Sequence, residues 1–138
     1  KWLLRGGFPS AIEIDSDDER AVWFSAYTQT YLERDLRQLS EVSSLSDFQR
    51  LMRMAAQRTG KVINQADLAR DAALSHPTAH RYLNLLETGC LLSRLPAYAA
   101  NLTTSMVKSP KLLWADCGLG TWLAGITNRS SLIRRDDA

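Results

Sequence analysis

Residues 65–87 read QADLARDAALSHPTAHRYLNLLE. Leu68 and Ala69 form the apolar face of a short first helix. Ala72 and Leu74 carry that face through a tight turn. Ala79, Leu83 and Leu86 then recur at helical spacing. The pattern predicts a helix-turn-helix, the layout that lays a second helix against the major groove of DNA. His76, Thr78, His80, Arg81 and Asn84 are left on a helix face that packing does not need. Each can donate or accept a hydrogen bond, and together they are the expected DNA-contacting set. An αα-hairpin that only builds a core is the alternative. The short turn and the polar outer face favour the DNA-type geometry.

The ends of both helices are marked. Asn64 followed by Asp67 predicts an N-cap with an acidic third residue. Ser75 predicts the second cap, and Pro77 fits the first turn, where a missing N–H costs little. Gly89 is expected to close the second helix in a left-handed conformation. The turn between the helices carries Ala73 where Gly is common. A positive φ there would cost on the order of 1 kcal/mol.

The flanks extend the motif. Residues 91–98 (LLSRLPAY) and 111–115 (KLLWA) read as strands, with Pro96 marking an edge or bulge. The polar loop between them includes Lys108 and leads to Lys111, and both lysines join the expected DNA contacts. Val62 and Ile63 supply a short first strand. Upstream, residues 46–58 form an amphipathic helix with Phe48, Leu51, Met52 and Ala55 on one face, and Gly60 ends it. Asp116 caps a last helix carrying Leu119, Trp122, Leu123 and Ile126. The fold class is therefore mainly α: a winged helix-turn-helix with a small β-hairpin wing, preceded by a long connector helix.

That connector begins at the capping sequence Ser16-Asp17-Asp18-Glu19 and runs to about Leu39. Trp23, Tyr27 and Tyr31 form one ridge, expected to be core. Leu32, Leu36 and Leu39 form another, and Glu33 and Arg37 make an i,i+4 pair. Ahead of it, the Trp2 to Pro9 segment is apolar and broken by Gly6-Gly7. The first 14 residues are expected to be loosely held, and the Tyr31 to Leu39 half to pack near Phe48 and Met52.

The chain has 138 residues and 45% hydrophobic content, as a globular domain with an appendage would. No apolar run approaches the ~20 residues that span a bilayer. The first residue is Lys1, which predicts a piece of a longer chain. Cys90 and Cys117 are isolated and suit a reducing cytoplasm. The net charge of +2 is split: residues 1–43 carry −3, 44–127 carry +4 and 128–138 carry +1. Positive charge thus gathers in the winged helix, as phosphate contact requires.

Several motifs occur in order: RGGFP at 5–9, YLERDL at 31–36, RTGK at 58–61, the helix-turn-helix, and KSPKLLWADCGL at 108–119. In this order and spacing the chain resembles predicted prokaryotic AAA-type P-loop ATPases with a C-terminal region called domain of unknown function 4143. The resemblance implies that residues 1–43 are the tail of an ATPase domain and its connector. It implies that 44–127 are the winged helix and that 128–138 lead to a restriction-endonuclease-like domain. ATP and Mg²⁺ are implied for the ATPase domain alone, and no cofactor for this chain. Arg34 and Asp35 are then expected at the contact with the ATPase domain. Two departures stand out. Leu102-Thr103-Thr104-Ser105 replaces basic wing residues, and His76 and His80 stand where basic or amide residues are common.

No catalytic site is read in these residues. Thr59-Gly60-Lys61-Val62 mimics the end of a P-loop but lacks the leading Gly and the Mg²⁺-binding hydroxyl. His76 and His80 are four apart, but position 77 is Pro rather than the general-base Glu, and no third ligand is evident. No metal is expected. The leading function is a winged-helix module that binds double-stranded DNA inside an ATPase. The alternative is a protein-interaction domain coupling the ATPase part to the nuclease-like part.

Overall fold

The computed structural model describes residues 2–31, 44–98 and 108–136. In chain order these form α1 (Trp2–Arg5), α2 (Pro9–Ile12), α3 (Asp17–Tyr31), α4 (Leu45–Ala56), α5 (Gln65–Asp71) and α6 (His76–Thr88). Then come β1 (Leu92–Leu95), β2 (Lys111–Trp114), α7 (Cys117–Leu123) and α8 (Arg129–Asp136). They divide into two compact units. One is residues 46–115; the other combines 1–45 with 116–138. The expected winged-helix boundaries of 44–127 thus end about a dozen residues too late. Helix α7 lies in the second of these units because Gly118 fits against α1, as set out below.

The unit of residues 46–115 is a winged helix. In α4, Phe48, Leu51, Met52 and Ala55 are all buried, as the amphipathic spacing requires. The Phe48 ring meets Tyr82 of α6 edge-on, with centroids 5.0 Å apart. Leu68, Ala72, Ala79, Leu83 and Leu86 complete the core at 0% exposure. Tyr82 is equally buried, although it follows the exposed polar pair His80-Arg81. β1 and β2 pair antiparallel, with Leu92 opposite Trp114 and Leu95 opposite Lys111. Val62 bridges Lys111 from the far side. Backbone bonds from Gly60 N to Leu112 O and from Ile63 N to Pro110 O extend that edge. The short first strand expected at Val62 and Ile63 is therefore present as a bridge. The wing loop at 99–107 lies outside the described residues.

The second unit is built on α1, α2, α3 and α7. Gly118 makes it possible. A Cβ there would stand 2.7 Å from the Gly6 nitrogen and 2.8 Å from the Arg5 carbonyl carbon, so only Gly lets α7 meet the end of α1. Asp116 then serves two backbones. Its Oδ1 caps α7 at Leu119 N (2.7 Å) and its Oδ2 accepts from Gly7 N (2.5 Å). Phe8 packs on Trp23 and Tyr27, with centroids 5.5 and 4.7 Å away, and Ala11 is fully buried. The loose hold expected for the first 14 residues is therefore not what is found. The long sequence separation of Asp116 and Gly7 hid the tie. Trp23 and Tyr27, expected as core, are only half-buried against Phe8, and the buried ring of α3 is Phe24, at 1% exposure. The Tyr31 side chain, the 32–39 ridge and the Glu33–Arg37 pair lie outside the described residues, as do Arg34 and Asp35.

Candidate nucleic-acid interface

The helix-turn-helix is set by its caps. Asn64 Oδ1 accepts from Ala66 N (2.9 Å) and Asp67 N (3.4 Å), starting α5. The turn that ends α5 bonds Ala73 N to Arg70 O and Leu74 N to Ala69 O, at 2.9 and 2.8 Å. That double bond is a Schellman closure, and it requires a left-handed residue between the two donors. The residue is Ala73, at φ 51°. Arg50 of α4 braces the turn by donating from Nε to Ala72 O at 2.5 Å, and Arg58 pairs with Asp71. Ser75 Oγ then accepts from Thr78 N (3.3 Å) and starts α6, with Pro77 in its first turn. The far end closes at Cys90 (φ 55°), not at Gly89 (φ −76°). The helix runs through Thr88, so the left-handed position falls one residue later than expected.

The expected contact residues emerge on α6 as follows. His76, His80, Arg81 and Asn84 are exposed, on the side away from Ala79, Leu83 and Leu86. Thr78 is half-buried, and its Oγ1 is 2.8 Å from Ser75 Oγ, so it belongs to the cap. His80 Nδ1 lies 3.0 Å from Gln65 Oε1. A carbonyl oxygen only accepts, so a neutral His80 carries its proton on Nδ1 and offers Nε2 as an acceptor. Arg81 stacks its Cζ 5.5 Å from the centre of the Tyr82 ring. Lys108 and Lys111 are exposed at the base of the wing.

Arg94, on β1, was not among the expected residues. Its Nη2 donates to Asn84 Oδ1 at 2.5 Å. Its Nε donates to Glu87 Oε2 at 2.9 Å, its backbone N–H reaches Glu87 Oε1 at 2.8 Å, and the guanidinium pairs with the same carboxylate. The Arg94 hydrogen bonds hold the Glu87 carboxyl below the usual carboxylate range, against an opposing push from burial. A strand residue meeting a helix residue seven positions earlier leaves no local signature. Only the alternation of Leu92 and Arg94 onto the helix-facing side of β1 hints at it.

The charge of this unit becomes specific once ion pairs are assigned. Residues 46–115 hold 9 Lys/Arg and 4 Asp/Glu. Arg50, Arg58, Arg70 and Arg94 pair with Asp47, Asp71, Asp67 and Glu87. Among the described residues the cations without a carboxylate partner are Arg53, Lys61, Arg81, Lys108 and Lys111, and all are exposed. Lys61, which was not among the expected DNA contacts, lies along the same edge opposite Leu112: Lys61 O accepts from Leu112 N at 3.2 Å. Uncompensated positive charge therefore sits on α6 and at the base of the wing, with Arg53 on α4.

The other unit holds a cleft of about 660 Å³ lined by Leu4, Arg5, Asp15, Asp17, Arg20, Arg129 and Leu132. Arg20 there is consumed by Ala11 O, Ile14 O, Asp15 O and Asp17, and Arg5 by Asp15 and Ile12 O. Among the described residues no group of three or more His, Cys, Asp or Glu could hold a metal. No helix of the described residues is long and apolar enough to cross a membrane. Cys90 and Cys117 are free and exposed.

A family model described as Domain of unknown function (DUF8612) matches residues 1–130. The chain belongs to the DUF8612 family. The DUF8612 chain is similar to uncharacterized protein Mb2031c of Mycobacterium bovis and uncharacterized protein Rv2008c of Mycobacterium tuberculosis. Each is 35% identical over 133 residues, covering 96% of this chain and 30% of the relative. The chain thus spans under a third of the length of these relatives. Among solved structures, the crystal structure of transcriptional regulator PA3341 matches at 17% identity and a TM-score of 0.38, over 88% of this chain and 91% of that one. The winged-helix assignment rests on this chain's own elements. The family shown is DUF8612, whereas the likeness to the 4143 region and to AAA-type ATPases rests on the quoted motifs alone.

Proposed function

We propose that residues 46–115 bind double-stranded DNA, with α6 in the major groove and the wing base on phosphate. The observation that carries this is the outer face of α6. His76, His80, Arg81 and Asn84 stand exposed there, and Arg81 together with Lys61, Lys108 and Lys111 at the wing base has no carboxylate partner among the described residues. Folding does not need these groups, and unneutralised cations around a groove-sized helix suit a polyanion. The motif order alone supports a parent protein of the AAA-type ATPase class, in which ATP and Mg²⁺ belong to another domain. The test is a duplex titration at 50 mM salt. Binding in about the micromolar range is expected, weakening as salt rises. Arg81→Ala should lower the affinity. No binding would remove this reading.

One observation favours a second reading, a protein-coupling domain. Val62, Leu95 and Leu113 on the outer face of the wing are 61%, 51% and 37% exposed, and Tyr98 is 98% exposed. Leu95 and Val62 both sit opposite Lys111 and so share its face. Apolar exposure of this kind fits a protein partner. If duplex binding fails, Leu95→Glu and Val62→Glu should weaken association of the parent's other domains.

A further inference from the structure

We propose that His76 and His80 make duplex binding pH-dependent: as pH falls from about 7.5 to about 5.5 they add positive charge to the outer face of α6 and tighten its hold on phosphate. This rests on the DNA-binding reading above. They are the only two histidines of the chain. Histidine is the side chain whose ordinary charge change falls between about pH 5 and pH 8. The ordinary ionisation of carboxylates, lysine and arginine lies outside that range. A pH change within it therefore acts on this one face. The two residues stand four apart, on one side of the helix, and both are exposed.

No carboxylate among the described residues pairs with either ring. The first turn of α6 holds no acidic residue beside His76. Across from His80, α5 presents Gln65, whose Oε1 lies 3.0 Å from Nδ1. The acids of α5, Asp67 and Asp71, are paired with Arg70 and Arg58, and Asp47 of α4 with Arg50. Arg53 of α4 and Arg81 of α6 add like charge. Glu87 is held by Arg94 of β1, with His80 a weaker influence on it. The bond to Gln65 survives protonation, because an imidazolium donates from both nitrogens and a carbonyl oxygen accepts. The added proton arrives at Nε2, which turns from an acceptor into a charged donor while α6 keeps its place. A cation that meets a phosphate adds about 0.9 to the slope of log affinity against log salt, which at 50 mM salt is roughly tenfold in affinity per histidine.

The experiment is a duplex titration of the whole chain at about pH 7.5 and about pH 5.5, each over a series of salt concentrations. Wild type should bind roughly tenfold to a hundredfold more tightly at the lower pH, on a steeper salt slope. His76→Gln and His80→Gln should each remove part of that gain, and the double variant should bind alike at both pH values. His76→Lys combined with His80→Lys fixes the charge and should bind tightly at both. Both sites are exposed, so thermal melting should show every variant folded. Wild-type binding that does not change with pH overturns this inference alone. So does a pH gain kept in full by the double glutamine variant. Absence of duplex binding at both pH values removes the proposed function as well.

Discussion

Ala73 and Cys90 are the two non-glycine residues with positive φ among those described, at 51° and 55°. Both occupy the left-handed position of a Schellman closure, and α7 ends in the same way at Gly125 (φ 82°), the residue type that suits it. An L side chain in that region costs about 1 kcal/mol relative to Gly. Ala73→Gly and Cys90→Gly should therefore each raise unfolding stability by about 1 kcal/mol, read as a higher urea midpoint at unchanged slope. The Ala73 conformation was legible because a three-residue turn between two capped helices leaves few geometries. The Cys90 conformation was not. It depends on where α6 stops, and one extra helical residue moves the left-handed site from Gly89 to Cys90. An unaltered midpoint in both variants would mean the backbone relaxes without strain.

Among the elements, α7 departs most from its sequence reading. Its cap at Asp116 was evident from the residue type, but the second duty of Asp116, on Gly7 N, joins segments over a hundred residues apart. Asp116→Ala should remove both bonds and expose Gly6 and Gly7 to faster amide exchange. The expected loss is about 1–2 kcal/mol from the cap, larger than an exposed cap alone would give. Gly118→Ala should cost more, since its Cβ would meet backbone that cannot step aside. By contrast, α4 and α6 were legible almost residue by residue, because a stripe at i, i+3, i+4 and i+7 has one way to be buried. Exchange at Gly7 as slow in Asp116→Ala as in wild type would contradict the double tie.

For the whole molecule, electrostatics is the property that counts. Four of the nine cations of residues 46–115 are spent on carboxylates, which is why net charge alone predicts DNA contact poorly. Lys61 and Lys111, both exposed and without a carboxylate partner among the described residues, are free to meet phosphate. Each phosphate contact contributes about 0.9 to the slope of log affinity against log salt. Lys61→Ala and Lys111→Ala should thus each flatten the slope by about 0.9, with little change in base preference. Arg94→Met, by contrast, leaves the Glu87 carboxylate unpaired beside α6 and should lower both stability and duplex affinity, read in the melting temperature and the duplex titration. A slope identical to wild type in both lysine variants would place the phosphate contacts elsewhere.

The local signals in the sequence determined the helix-turn-helix, its N-caps, the hairpin strands and the outward face of α6. Each depends on periodicity or on a cap a few residues away, and such short-range chemistry is written contiguously. Only the tertiary structure decided that Asp116 and Gly118 tie α7 to the chain's beginning, that Lys61 pairs with Leu112 along the wing edge, and that Arg94 bonds both Asn84 and Glu87. These pairings cross strands, helices or most of the chain. Which donor meets which acceptor there depends on how whole elements pack, and no spacing rule in one dimension encodes it.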